Sequence, residues 1–228
     1  EIRLSLVGSE MCIRDRPLFY WKNMDGNIIG AQYKYIKDNV CQKRFLKNTD
    51  RSNSLWMTPI EGSKALFVTE DPLDAIAHSQ LFPGARYAYL CTGGTSTKAQ
   101  REMIHSFSQK YKLPIILGND NDLAGQLENF KLAYHTANIE YAINSKTQRV
   151  LLTVNGAERE WGKDEIVAAL QAVMKQRPNM ILSIPWAKDW NDDLRSSKKS
   201  ISLRIAENMV RAQIETTKSC LLYTSPSP

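Results

Sequence analysis

Cysteine is scarce in this sequence and badly placed for structural chemistry. Four cysteines occur in 228 residues, with no CxxC pair and no Cys/His cluster. That excludes a disulfide scaffold and a structural zinc site, so no zinc is expected, and it predicts a reducing, cytoplasmic setting. No apolar run approaches the roughly 18 residues that a membrane helix needs, so no membrane partner is expected. The chain also lacks the Gly-Lys-Ser/Thr of a P-loop and a full GxGxxG, which weakens an ATPase or dinucleotide reading. Its three histidines, His78, His105 and His135, fall on separate predicted helices without partner spacing and read as core or surface residues. Internal repeats and low-complexity tracts are absent.

What is present suits a globular protein of one substantial domain or two small ones: 43% hydrophobic and 24% charged residues. Two terminal stretches, Val7 to Arg16 and Cys220 to Pro228, match neither strand nor helix periodicity and resemble translated sequencing-adapter sequence. Residues 1–16 and 220–228 are therefore expected to be non-native. The net charge of +6 permits a polyanionic partner. It resolves into +4 over residues 17–60, −2 over 61–141 and +4 over 142–219, an acidic centre flanked by basic segments.

From Leu18 to Ile36 the pattern is strand, turn, strand, with Asp25-Gly26-Asn27 as the hairpin signal. A polar basic stretch follows (Lys43, Arg44, Lys47, Arg51). Alternating β and α elements begin at Ala65. Strands are expected at 65–69, 87–91, 114–117 and 180–184, and helices at 72–81, 98–111 and 123–137. Asp71 is the first helix's N-cap and Pro72 its favoured first residue. The expected fold class is α/β, a parallel sheet of about four strands with flanking helices and a small N-terminal β element. Residues 138–178 read as an inserted hairpin and helix, and a further helix is expected at about 200–217. Trp190 is expected to be packed, and Cys41 and Cys91 to be inert thiols.

Three acids carry the chemistry. Glu70 ends the first buried strand, and Asp120 and Asp122 follow the third. Residues two apart in extended backbone point the same way, and the carboxyl ends of parallel strands line the ligand crevice. Converging carboxylates suit a hard cation such as Mg²⁺, which keeps water and phosphate ligands. Asp122 is equally suited to cap the helix through Gly125. Gly93-Gly94-Thr95-Ser96-Thr97 can present amides to a phosphate, although a capped turn is the simpler account. Tyr33, Lys34, Tyr35, Lys37, Lys43, Arg44 and Lys47 interleave aromatics with bases, as single-strand binding surfaces do; a solvated hairpin face has the same composition.

The blocks Val68-Thr69-Glu70-Asp71-Pro72-Leu73-Asp74-Ala75, Cys91-Thr92-Gly93-Gly94 and Ile116-Leu117-Gly118-Asn119-Asp120-Asn121-Asp122-Leu123-Ala124-Gly125 resemble a Toprim domain. That metal-binding module is shared by bacterial primases, type IA and II topoisomerases and some nucleases. Asp25-Gly26-Asn27-Ile28-Ile29-Gly30, Lys43-Arg44-Phe45-Leu46-Lys47-Asn48 and Leu55-Trp56 resemble the primase core ahead of its Toprim. Lys188-Asp189-Trp190-Asn191-Asp192-Asp193-Leu194 is similar to the end of Toprim domains in primase-like proteins of plasmids and conjugative elements. The resemblance covers most of residues 17–195.

It implies a Rossmann-like Toprim domain at 61–199 with the insertion at 138–178, preceded by a basic β element at 17–60 and followed by a helix at 200–219. Glu70, Asp120 and Asp122 would hold Mg²⁺ or Mn²⁺ and take part in nucleotidyl transfer. Asp74, Gly93, Gly94, Gly125 and Asp189 would support them, and Lys34, Lys43, Arg44 and Lys47 would face nucleic acid. The implied partners are a single-stranded DNA template and nucleoside triphosphates, with a replicative helicase beyond them. The family's glycine after the glutamate is Asp71 here, which adds a negative charge beside the site. Strand cleavage by a nuclease or topoisomerase-type Toprim, and a module that binds without turnover, are the rival expectations.

Overall fold

The computed structural model describes residues 16–38 and 40–196. Apart from Arg16, the expected non-native ends lie outside the described residues, and so does the helix expected at about 200–217. Among the described residues no helix is long and apolar enough to cross a membrane. At the N-terminal end β1 (Leu18–Lys22) and β2 (Ile28–Lys37) pair antiparallel across the expected turn. Gly26 takes the positive φ of 84°, and Asn23 Oδ1 accepts from the amides of Asp25 and Asn27. The polar basic stretch that follows is a third strand, β3 (Val40–Phe45), on the far edge of β2. Its mostly exposed residues lack a hydrophobic period, so only pairing to β2 reveals it.

The chain then enters a five-stranded sheet. Its elements begin with β4 (Trp56–Met57), β5 (Ala65–Thr69), α1 (Pro72–Leu81), β6 (Tyr87–Cys91), α2 (Lys98–Tyr111), β7 (Ile115–Leu117) and α3 (Leu123–Ala133). After these come β8 (Ile139–Asn144), β9 (Arg149–Val154), β10 (Ala157–Gly162), α4 (Lys163–Gln176), β11 (Met180–Leu182) and α5 (Trp190–Arg195). The sheet order is β11-β7-β5-β6-β4, with the first four parallel and β4 antiparallel on the edge. The four parallel strands are those expected, and β4 is an addition. The hairpin expected within 138–178 gains a third strand, β10. Asn155 and Gly156, at φ 50° and 86°, make the tight turn that an Asn-Gly pair favours.

The helix boundaries follow from local caps. Asp71 Oδ1 accepts from the amide of Leu73 with Pro72 in the first turn. Thr97 and Gln100 form a reciprocal capping box at the start of α2. Helix α3 stops at Ala133, four residues before the expected end, which leaves His135 beyond the helix with its ring stacked 3.4 Å from that of His105.

Period-2 alternation sends each parallel strand's side chains into two separate cores. Leu66, Val68, Ala88, Leu90, Ile115 and Leu117 pack with Ile104, Phe107, Leu127, Phe130 and Leu170 of α2, α3 and α4. On the other face Phe67, Tyr89, Cys91 and Ile116 pack with Ala75, Leu81 and Trp190 of α1 and α5. Trp190 is packed as expected, and its Nε1 donates to Gly118 O at 2.8 Å. His78 is a core residue: its Nδ1 lies 3.0 Å from the Tyr89 hydroxyl, and burial pushes its pKa down to about 3, so it stays neutral.

The small N-terminal sheet docks on the carboxyl end of β6. Lys22 and Leu55 exchange backbone hydrogen bonds of 2.8 and 2.9 Å, and Trp21 is fully buried. Gly93, at φ 74°, lets the Trp21 ring approach, since a Cβ there would stand 2.5 Å from the indole. The buried Gln100 amide donates to the carbonyls of Arg51, Ser54 and Thr92, joining the two sheets through α2.

Candidate functional site

Strand β5 lies at the middle of the parallel set, with β6 on one side and β7 on the other. The first crossover leads to β6 and the second returns past β5 to β7, so the strand order reverses at β5. Such a switch point opens a crevice at the carboxyl ends of the strands. Glu70 leaves β5 there, and Asp120 leaves β7 beside it, Val68 and Leu117 being paired just below. The structure therefore brings Glu70 and Asp120 to the same end of adjacent strands.

The acidic loop is held from beneath by α3. Gln126 Nε2 donates to Asp120 O at 2.8 Å, and Asn129 Oδ1 accepts from Asn119 Nδ2 at 2.9 Å. Asp122 Oδ1 accepts from the Gly125 amide at 2.9 Å, so Asp122 does cap the helix. Gly125 is required by contact: a Cβ would meet Asp120 O and stand 2.7 Å from Asp120 N. From the other side, Asn121 donates its amide to Lys188 O at 2.7 Å and its Nδ2 to Pro185 O at 3.1 Å.

Electrostatics single out Asp120. Burial, reinforced by the charges of Glu70, Asp122 and Asp189, raises its pKa to about 7, opposed by Lys188. Among the described residues no donor hydrogen-bonds its carboxylate. Asp74, buried at the start of α1, is raised to about 8 by burial and by Asp120, Asp71 and Asp189; the 2.6 Å hydrogen bond from Asn191 opposes this. Asp189 caps α5 through the Asp192 amide at 2.8 Å. Among the described residues no three His, Cys, Asp or Glu side chains are gathered into a ready metal-ligand set. A cation that keeps water and phosphate ligands needs only one or two carboxylates, and Asp120 and Glu70 fit that requirement. Asp120 suits it chemically, being crowded by like charge and, among the described residues, free of donors to its carboxylate.

The four expected basic residues separate into two groups. Lys34 is buried, with Nζ 2.5 and 2.6 Å from the two oxygens of Asp71, so it does not stand on an exposed nucleic-acid face. Lys43 Nζ lies 3.1 Å from Glu70 Oε1 and 3.6 Å from Asp71 Oδ2. Burial lowers the Lys43 pKa, but Glu70 and Asp71 outweigh it and the net shift is upward. Arg44 and Lys47 are exposed. The extra charge of Asp71 is thus compensated from β2 and β3.

Gly93 and Gly94 form the turn after β6, at φ 74° and 138°, and the Gly93 amide donates to Glu70 O at 2.7 Å. The turn runs into a buried network: Glu128 Oε2 accepts from the Ser96 amide and hydroxyl at 2.8 and 2.6 Å, and Glu128 Oε1 accepts from Lys131 at 2.6 Å. Sequence reasoning missed Gln126, Glu128, Asn129 and Lys131 as supports. Their signal is the set of polar residues inside the expected helix at 123–137, which the structure buries along nearly all of α3.

Residues 67–148 match a family model described as Toprim-like. No curated protein matches the chain. Solved structures similar to it include the DnaG catalytic core, at 14% identity and TM-score 0.46 over 94% of this chain and 59% of that one. A DNA primase domain from Pseudomonas aeruginosa follows at 14% identity and TM-score 0.45, over 85% of this chain and 50% of that one. The primase fragment of the Bacteriophage T7 primase-helicase protein matches at 15% identity and TM-score 0.41, over 87% and 62%. The chain therefore spans 50–62% of the length of these structures. The segment similar to the Toprim-like family runs from within β5 to the turn before β9 and contains Glu70, Asp74, Gly93, Asp120, Asp122 and Gly125.

Proposed function

We propose that this chain is the catalytic portion of a primase-like enzyme that performs metal-dependent nucleotidyl transfer on DNA. One observation carries the reading: Asp120 stands beside Glu70 at the switch point, half-buried among like charges and, among the described residues, free of hydrogen-bond donors to its carboxylate. A divalent cation, Mg²⁺ or Mn²⁺, would supply charge neutralisation for triphosphate oxygens during attack by a primer hydroxyl. Asp120 and Glu70 would hold it. Asp122 caps α3 through Oδ1, and its Oδ2 lies 3.9 Å from Lys188, so its role is to fix the loop and face the cation from one side. Asp189 adds negative potential behind Asp120, and Asp74, its carboxyl raised to about 8, supports the start of α1 through its hydrogen bond from Asn191. Arg44 and Lys47, exposed on the small sheet, would meet the phosphates of a single-stranded template, and Lys43 joins them when it leaves Glu70. A replicative helicase is the partner proposed for the whole protein.

The test is primer synthesis on a single-stranded template with nucleoside triphosphates and Mg²⁺ or Mn²⁺. Wild type should make oligonucleotides and Asp120→Asn should not. Cleavage of DNA without synthesis would turn the reading to a nuclease. A second reading, a module that grips nucleic acid or nucleotide without turnover, is favoured by Lys43 sitting on Glu70. Metal and DNA binding with neither reaction would establish it.

A further inference from the structure

Trp186 is the largest side chain among the exposed hydrophobic residues, at 61% exposure, and it stands on an unusually fixed piece of backbone. Its own amide donates to Asp193 Oδ2 at 2.9 Å, and the next amide, of Ala187, donates to Asp193 Oδ1 at 2.7 Å. Asp193 is itself buried. On either side of the indole, Pro185 O accepts from Asn121 Nδ2 at 3.1 Å and Lys188 O accepts from the Asn121 amide at 2.7 Å. Asn121 is the residue between Asp120 and Asp122. The tryptophan is therefore mounted directly on the acidic loop, at the carboxyl end of β11, on the same rim as Glu70.

A packing role does not account for this placement. Burying an indole removes about 150–250 Å² from water, and here most of that area faces solvent although the backbone beneath it is pinned. Trp190, four residues on, is fully committed to the core through Phe67, His78 and Phe82. The surroundings of Trp186 are cationic as well as acidic: Lys188 is exposed, and Lys163 Nζ reaches Asn121 Oδ1 at 3.3 Å. A rigid, exposed π-face on a loop whose Asn121 meets Lys163 and whose Asp122 lies 3.9 Å from Lys188 suits a planar aromatic group that carries phosphate.

We propose that Trp186 is a stacking platform for a nucleobase held at the acidic loop, with Lys188 and Lys163 facing the phosphates of the same ligand. The inference deepens the nucleic-acid reading above and rests on it. Both a nucleoside triphosphate and a single-stranded template offer this chemistry. Base–aromatic stacking of this kind changes affinity by about five- to 150-fold per base.

The full chain is titrated in Mg²⁺ with ATP and, separately, with an end-labelled oligothymidylate, comparing wild type, Trp186→Leu and Trp186→Phe at matched thermal stability. The expected result is a loss of at least about fivefold in affinity in Trp186→Leu and recovery in Trp186→Phe. Wild-type indole emission should be quenched by the ligand, and Trp186→Phe should lose that quenching. Loss confined to ATP places the base of the triphosphate on Trp186, and loss confined to the oligonucleotide places a template base there. Unchanged affinity of Trp186→Leu for both ligands overturns the stacking alone, as does a loss that phenylalanine fails to rescue. Failure of wild type to bind either ligand overturns the nucleic-acid reading and the stacking together.

Discussion

Lys34 Nζ lies 2.5 and 2.6 Å from the two carboxylate oxygens of Asp71, and Lys34 is only 6% exposed. The pair ties the small antiparallel sheet to the first turn of α1, at the edge of the acidic crevice. Removing one member of a buried pair leaves an uncompensated charge, which costs on the order of 3 kcal/mol. Lys34→Met should therefore lower the unfolding free energy by about that amount, and Lys34→Met/Asp71→Asn should recover much of it. Urea unfolding of the two variants checks this.

Lys43 bridges Glu70 and Asp71 from an exposed position. A divalent cation approaching Glu70 must displace it. Partly exposed pairs are worth about 0–1 kcal/mol, so Lys43→Met should tighten Mn²⁺ binding by up to about fivefold. Isothermal titration reads the change. Weaker Mn²⁺ binding in the variant would show that Lys43 assists the cation instead of competing with it.

Asp74 is held protonated by burial and by the charges of Asp120, Asp71 and Asp189, with its pKa raised from 3.8 to about 8. A raised carboxyl favours the folded state below its ordinary pKa, and that contribution is lost as pH rises through the folded value. Thermal stability should fall between pH 3.8 and about 8. Asp74→Asn, which keeps an acceptor for Asn191, should flatten the profile. Melting temperatures across that range decide it.

Gly125 lies against the backbone of Asp120, where a Cβ would stand 2.7 Å from the amide nitrogen. Backbone cannot yield as a flexible side chain does, so Gly125→Ala must shift the acidic loop. Overpacking of this kind costs about 1–3 kcal/mol. Unfolding should show that loss, and divalent-cation affinity should fall with it. An alanine variant with wild-type stability and cation affinity would mean that the loop tolerates the displacement.

Helices α1 and α2 were legible to the residue because their signals are local: Asp71-Pro72 for one, and Thr97 with Gln100 for the other. The parallel strands were legible because each is an apolar run buried on both faces. Strands β3 and β4 were not, since Val40–Phe45 and Trp56–Met57 carry no period of their own and are strands only through β2 and β6. The Asn155-Gly156 turn was present in the sequence as a strong hairpin signal and points to β10.

At the site, the order of residues along the chain was enough to put Glu70, Asp120 and Asp122 at strand ends and to allow Asp122 a capping role. It could not assign the charges their partners. Lys34 reaches Asp71 across 37 positions of sequence and Asn191 reaches Asp74 across 117. Such pairings depend on strand order and register, which no short window of residues encodes. The sequence by itself determined the α/β elements and the acids that end them, because caps and hydrophobic periods act over a few residues. Only the tertiary structure decided which acid stays uncompensated, which lysine is buried and which tryptophan faces solvent, because burial and charge pairing are set by elements that meet only when the sheet assembles.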